Sequence, residues 1–341
     1  MKYIKKLPDI SEIVEMYPLD VKDKKRRELI LADIKKILCG VDNRKLLIIG
    51  PCSADCESAV VEYTMRLSRI QEVVKEKLLI IPRVYTSKPR TRGTGYKGLL
   101  HRPQATSEHD DIISGVIATR KMHQSVIQNT GMFTADEMLY PEMHSYISDL
   151  LVYTAVGARS VENQQHRLTA SGLDIPVGMK NPTSGDYEIM INAIIAAQNE
   201  QTLMYNGWEV ATEGNMYAHA ILRGYIDMAG IARPNYHYED LRNLYDKYYK
   251  ENLKNISVII DCNHCNSNKQ YNEQSRIAEE VLDTCNRDKA LIRFIKGFMV
   301  ESYLVEGAQL VGGGIYGKSI TDACLGWEKS EQLILKIAEK L

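Results

Sequence analysis

Eight places in the chain set a charged or metal-ligating side chain at the end of a short apolar run. Cys52 follows the first run, Arg83 and Lys88 lie around the second, and Glu137 and Arg159 follow the third and fourth. Lys180 follows the fifth, Arg223 the sixth, Asp261 and His264 the seventh, and Glu301 the eighth. They sort by charge. Arg83, Lys88, Arg159, Lys180 and Arg223 form a cationic set suited to a small, multiply anionic ligand, because guanidinium forks match phosphate and carboxylate oxygens and lysines add point charge. A phosphorylated carboxylic acid has that character. Cys52, His264, Glu301 and, further on, Asp322 form a second set of one sulfur, one imidazole and two carboxylates. That mixture suits a borderline first-row divalent ion better than a structural zinc cage. Taken singly, each residue has a plainer explanation: a histidine near a strand end is more often hydrogen-bonded in its loop, and a lone cysteine more often fills core. The succession gives the pattern its weight.

These side chains can act together only if the runs are strands whose ends meet. The runs are LLIIG, LLIIPRV, MFTA, TAVGA, IPVGM, AHAILR, SVIID and GFMVE. Between them lie helix-like stretches such as ESAVVEYTMRLSRIQEVVKEK, IISGVIATRKMHQSVIQ, EIMINAIIAAQNE and YNEQSRIAEEVLDTC. Strict β–α alternation implies a parallel sheet. Eight units predict an α/β fold of the (β/α)8 TIM-barrel kind, whose strands end on one face where barrel enzymes hold their active sites. A doubly wound open sheet is the alternative that the same pattern allows. Residues 44–341 are read as the catalytic barrel. Residues 1–43 are polar and highly charged, with one amphipathic helix in VKDKKRRELILADIKKIL ending at Gly40, and are read as an extension packed outside it. In TLMYNGWEVATEG, Asn206-Gly207 between two β-prone runs signals a tight turn, so a β-hairpin insertion is expected before the sixth strand.

Composition limits the classes of function. The chain has 341 residues, is 44% hydrophobic and 26% charged, and carries a formal net charge of −1, so a large core is available and no basic field favours nucleic acid. The acids and prolines after Met1–Lys6 and the lack of a long apolar stretch argue against a signal peptide or membrane span, and a cytoplasmic protein is expected. Seven scattered cysteines point to reduced thiols rather than a disulfide framework.

Longer runs carry a resemblance. GPCS at Gly50–Ser53, SKPRT at Ser87–Thr91, GYKGLL at Gly95–Leu100 and GARSVENQQHRLTASGL ending at Leu173 are similar to the class I 3-deoxy-D-arabino-heptulosonate 7-phosphate (DAHP) synthases. So are PVGMKNPTSGD at Pro176–Asp186, DCNHCNSNKQ at Asp261–Gln270, MVESYLVEG at Met299–Gly307 and GKSITDACLGWE at Gly317–Glu328. The resemblance runs in order from Lys45 onward and is closest to the branch with an N-terminal regulatory extension. It implies a transferase that condenses phosphoenolpyruvate with D-erythrose 4-phosphate and water to give DAHP and phosphate, the first step of the shikimate route to aromatic amino acids. By the same resemblance one divalent ion, Mn2+, Fe2+, Co2+ or Zn2+, is held by Cys52, His264, Glu301 and Asp322. Phosphoenolpyruvate falls on Arg83, Lys88, Arg159, Lys180 and Arg223, with Glu137 beside it, and the aldose phosphate on Arg90 and Thr91. The metal polarises the aldehyde, C3 of phosphoenolpyruvate attacks it, water adds at C2, and phosphate leaves by C2–O cleavage, with Lys88 as proton donor. A homodimer or homotetramer is expected, with residues 1–43 and the hairpin serving subunit contacts and feedback inhibition by an aromatic amino acid.

The chain departs from the family pattern in places. Arg92-Gly93-Thr94 makes the loop between KPRT and GYKGL one residue longer than its commonest form. The usual DxSHAN is Asp261-Cys262-Asn263-His264-Cys265-Asn266, and the usual ARTTES is Ala158-Arg159-Ser160-Val161-Glu162-Asn163. Three rivals are weaker. GGGIYGKS at Gly312–Ser319 fits a nucleotide-binding P-loop, but the acidic strand VIID precedes it instead of following it. A zinc module on Cys52, Cys56, Cys262 and Cys265 leaves His264 and Glu301 unexplained. A related synthase acting on arabinose 5-phosphate keeps the chemistry, but KPRT favours the four-carbon sugar.

Overall fold

The computed structural model describes residues 1–341. Eight parallel strands alternate with helices: β1 (Lys45–Gly50), β2 (Leu78–Pro82), β3 (Thr134–Glu137), β4 (Leu151–Val156), β5 (Val177–Lys180), β6 (His219–Leu222), β7 (Val258–Asp261) and β8 (Ile295–Glu301). Their spatial order is β2-β1-β8-β7-β6-β5-β4-β3. An Arg83–Ala135 parallel bridge, with Val84 N–H donating to Ala135 O at 2.8 Å, joins the two ends and closes a TIM barrel. No helix is long and apolar enough to cross a membrane.

Side chains of a strand alternate between its faces. Leu46 and Ile48 of β1, Leu79 and Ile81 of β2, Ala135, Tyr153, Ile221, Ile259 and Met299 share one apolar cluster, which fills the lumen. Their neighbours Leu47, Ile49, Leu78, Ile80, Leu222, Ile260 and Val300 belong to a second cluster with the surrounding helices. Those helices include α3 (Glu57–Val74), α4 (Ile112–Thr130), α5 (Gln164–Ser171), α6 (Tyr187–Gln198) and α7 (Tyr238–Lys250), then α8 (Gln274–Arg287), α9 (Lys289–Phe294) and α10 (Trp327–Lys340). Local chemistry sets their ends. Asp111 caps α4 by accepting from Ser114 N–H at 3.2 Å, and Gly131, at φ +70°, closes it with its N–H on Ile127 O at 2.7 Å.

The segment before the barrel holds two helices, α1 (Ile10–Met16) and α2 (Val21–Leu38), where the sequence reading has one. It is less of an appendage than expected. Ile13, Leu31, Ile34, Ile37 and Leu38 are continuous with the lumen cluster. Arg120 of α4, fully buried, donates to Tyr17 O at 2.7 and 3.0 Å and pairs with both oxygens of Asp149. Arg27 donates to Leu151 O, Ser148 O and Asp174. The expected hairpin pairs Gln201–Tyr205 with Trp208–Thr212 about Asn206 and Gly207, both at positive φ, as a two-residue primed turn requires. Strand bounds differ slightly: β3 begins later than MFTA, and β4 begins three residues before TAVGA, at Leu151.

The lumen contains a buried tyrosine–histidine pair. Tyr153 O–H donates to His219 Nε2 at 2.8 Å, and His219 Nδ1–H donates to Tyr217 O at 2.8 Å. Burial lowers His219 from the ordinary 6.5 to about 4. The unfolded chain therefore binds the proton first, and stability present above about pH 6.5 is lost as pH falls towards 4, by at most ~3 kcal/mol. Melting temperature should drop between pH 7 and 4.5, and His219→Gln should flatten that slope, leaving the share of His144, which burial also holds at about 4. An unchanged slope in the variant would show that His219 is not the group responsible.

Candidate functional site

The inward face of every strand changes character at its C-terminal end. Two residues beyond the lumen side chains Ile81, Ala135, Ile221, Ile259 and Met299 stand Arg83, Glu137, Arg223, Asp261 and Glu301, and Cys52, Arg159 and Lys180 keep the same parity on β1, β4 and β5. The barrel thus delivers one such side chain from each strand to one mouth.

On one side of the mouth Cys52 Sγ lies 3.5 Å from Asp322 Oδ2, and the ligand atoms of Cys52, Glu301 and Asp322 lie within 4.8 Å of one another. His264 stands at the edge of this group, with Nε2 4.0 Å from Glu301 Oε1, a gap that a cation with ligand bonds of about 2 Å can bridge. Its Nδ1 faces Asp261 Oδ2 at 2.8 Å, an ion-pair distance without hydrogen-bond alignment. Burial keeps His264 below the ordinary imidazole value, in the neutral form that ligates. It is held at φ +53°, a conformation costing on the order of 1–3 kcal/mol for a side chain of this size. Burial and nearby Glu301 raise the Cys52 thiol, so a bound cation would have to displace its proton. The donor set fits a divalent ion.

Cations surround this group. Lys88 Nζ lies 2.5 Å from Cys52 Sγ and 3.4 Å from Asp322 Oδ2. Burial pulls its ammonium down, but Cys52, Glu301 and Asp322 outweigh that and leave it above its ordinary value. Arg83 donates to Glu301 Oε1 at 2.9 Å and to Pro51 O, and stacks on Tyr85 with 3.7 Å to the ring centroid. Burial pushes Glu301 up, and Arg83, with His264 and Lys88, more than reverses it. Gly50 permits this packing, because a Cβ there would lie 2.2 Å from Arg83 O.

The cleft above is lined by Arg83, Lys88, Arg90, Arg159, Lys180, Arg223 and Lys269, against only Glu137 and Asp322 among acids. Lys180 Nζ sits 3.5 Å from both Glu137 and Asp261. Arg90 Nε donates to Tyr96 O at 2.8 Å, which orients the guanidinium. Arg223 Nη1 donates to Cys265 Sγ at 3.3 Å. Thr91 is exposed beside Arg90 and is not among the lining residues.

Sequence reasoning missed Lys269, which pairs with Asp322 Oδ1 at 3.4 Å, and Asn263, which donates to Glu301 Oε2 at 2.6 Å. It also missed Gln274, whose amide binds the Glu301 backbone in both directions at 2.8 and 2.9 Å. Tyr85 was findable, since it follows Arg83 by two residues and shares its face. The rivals find no support in the geometry. Lys318–Ser319 is a short strand rather than a helix start, and Cys56 stands just before α3 with its Sγ 3.4 Å from Ser58 Oγ, while Cys262 and Cys265 approach Ile260 O and Arg223.

Known proteins resemble this chain over nearly its whole length. The model of the DAHP synthetase I family matches residues 18–335. The phospho-2-dehydro-3-deoxyheptonate aldolase of Haemophilus influenzae is 38% identical, over 98% of this chain and 91% of its own. The Phe-sensitive enzyme of that name from Escherichia coli is 40% identical over 89% of this chain and 86% of its own, and the Trp-sensitive one 36% over 98% and 95%. The solved phospho-2-dehydro-3-deoxyheptonate aldolase of Francisella tularensis superposes with a TM-score of 0.92 at 30% identity, covering all of this chain and 98% of that one. A match that takes in all eight strand ends and the segments between them leaves one conclusion: the chain belongs to the DAHP synthetase I family.

Proposed function

We propose that the chain condenses phosphoenolpyruvate with D-erythrose 4-phosphate and water to give DAHP and phosphate, as the first committed step towards aromatic amino acids. The observation that carries this reading is a single cleft in which seven cationic side chains lie beside a Cys–Glu–Asp cluster. Arg159, Lys180 and Arg223, with the charge of Arg83 and Lys88, hold the enol phosphate and its carboxylate in orientation and take up the charge that gathers on the departing phosphate. Glu137 keeps the Lys180 ammonium in place at 3.5 Å. Arg90, with Thr91 next to it, receives the phosphate of the aldose. Lys88, charged and close to Cys52 and Asp322, is the proton donor to the aldehyde oxygen. Cys52, His264, Glu301 and Asp322 are the ligands of a divalent ion, Mn2+, Fe2+, Co2+ or Zn2+. When bound, that ion supplies Lewis-acid polarisation of the aldehyde. Residues 1–43 and the hairpin, outside the eight units, serve subunit contacts in a dimer or tetramer and feedback inhibition by an aromatic amino acid.

Consumption of phosphoenolpyruvate should require both erythrose 4-phosphate and a divalent ion. Equal turnover with arabinose 5-phosphate, or full activity after thorough chelation, contradicts the reading.

The thiols give a second test. Cys52→Ala should lose bound metal and about 100-fold or more in turnover while melting near the parent temperature, because the core does not depend on the ion. Cys56→Ala and Cys265→Ala should lose less than about tenfold in turnover. Parallel loss of metal and fold in all three would instead indicate a structural cysteine cluster.

Met204 and Trp208 of the hairpin are 84% and 75% exposed, which suits a covered surface in an oligomer. The double substitution Met204→Ser, Trp208→Ser should lower the sedimenting mass or weaken inhibition by phenylalanine, tyrosine or tryptophan about tenfold or more. If neither changes, the hairpin has neither role.

A further inference from the structure

A carboxylate also lies directly behind the cleft. Asp136 precedes Glu137 on β3, so it faces away from the lumen, towards α4. It is buried, and its two oxygens collect four partners. Oδ1 accepts from Thr86 N–H at 3.0 Å and Glu137 N–H at 2.7 Å. Oδ2 accepts from the Thr86 hydroxyl at 2.5 Å and stands 3.2 Å from His123 Nε2. His123 lies on α4 with no exposure, and its Nδ1 is 2.7 Å from Thr134 Oγ1. With the Thr134 hydroxyl donating to Nδ1, Nε2–H is left to donate to Asp136, so every group is satisfied without water.

Thr86 opens the segment Thr86–Arg90, which carries Lys88 and Arg90 into the cleft. That segment lies past the end of β2 and has no strand ladder of its own. Apart from Asp136, its backbone is tied by Leu100 N–H on Thr86 O at 3.1 Å, Lys88 N–H on Lys97 O at 2.9 Å and, within the following turn, Gly93 N–H on Arg90 O at 3.0 Å. A buried carboxylate deprived of donors is costly, so the segment cannot drift without stripping two of them from Asp136 at once. The other backbone donor, Glu137 N–H, ties the same carboxylate to the acid that pairs with Lys180.

We infer that Asp136, braced by His123, is a positioning residue that sets how Lys88 and Arg90 enter the cleft. The inference rests on the function proposed above, in which Arg90 of this segment receives the aldose phosphate, while phosphoenolpyruvate draws only Lys88 from it and is held by Arg83, Arg159, Lys180 and Arg223 from elsewhere. Loss of the anchor should therefore fall mainly on the aldose. Asp136→Ala should raise KM for erythrose 4-phosphate about tenfold or more and leave KM for phosphoenolpyruvate within about threefold. Asp136→Asn should recover most of the loss. Its Oδ1 still accepts both backbone N–H groups, and its amide can donate to Thr86 Oγ1 and to His123 in the other tautomer. His123→Leu should show the same bias in milder form. If Asp136→Ala fails to fold, Thr86→Val, which removes one donor at equal volume, carries the test.

Equal KM changes for both substrates, unchanged KM values with only a lower melting temperature, or Asn as damaging as Ala would overturn the inference. Absence of the condensation in the parent protein would be a failure of the proposed function instead.

Discussion

Closure of eight parallel strands, with side chains alternating between two faces, is the constraint on which the rest of this molecule depends. Once the Arg83–Ala135 bridge joins β2 to β3, each strand has one inward face, and the residue that continues it past the last lumen side chain must project into a shared mouth. Cys52, Arg83, Glu137, Arg159, Lys180, Arg223, Asp261 and Glu301 all have that parity. A register slip of one residue in any strand would turn its functional group outward among the helices. The same rule assigns Asp136 its place, one residue out of phase, behind the cleft rather than in it.

So many charges at one mouth cannot be a device for stability. A buried ion pair such as Arg83–Glu301 gains in Coulomb attraction about what it loses in hydration, and an apolar pair of equal volume would hold the barrel as well. What the network supplies is fixed charge. Glu301 is held by Arg83, Asn263 and Gln274, Lys180 by two carboxylates, and Lys88 by a thiol and a carboxylate, so none must reorganise when an anionic substrate arrives. The left-handed backbone at His264 belongs to the same arrangement, being strain tolerated where it aims a ring.

How much of this was legible in the sequence follows from the range of each signal. Strand ends are local: an apolar run followed by a charge at the inward parity is visible in the residues, and all eight barrel strands were read in this way. The Asn206-Gly207 hairpin was equally local. The supporting contacts were not. Nothing near Gln274 indicates that its amide clasps Glu301, and nothing near His123 points to Asp136, because those pairings arise from a helix lying across a strand end. The first helix, Ile10–Met16, was missed because the segment between Pro8 and Pro18 is only about two turns long, too short for the i, i+3, i+4, i+7 spacing of Ile10, Ile13, Val14 and Tyr17 to stand out. The docking of residues 1–43 was underestimated because the clamps that hold them, Arg27 and Arg120, are surface-like residues in sequence terms.

Those clamps also bear on the order of events during synthesis. Arg27 closes on Leu151 and Asp174, and Tyr17 on Arg120, across separations of 103 to 147 residues. At ribosomal speeds of roughly 5–20 residues per second, this segment waits many seconds for the chain that receives it. During that interval Ile13, Leu31, Ile34 and Ile37 have no native surface to cover them. The charge-rich make-up of this segment, with lysines, arginines and acids interleaved among those apolar residues, would then keep it dispersed until β4 is complete.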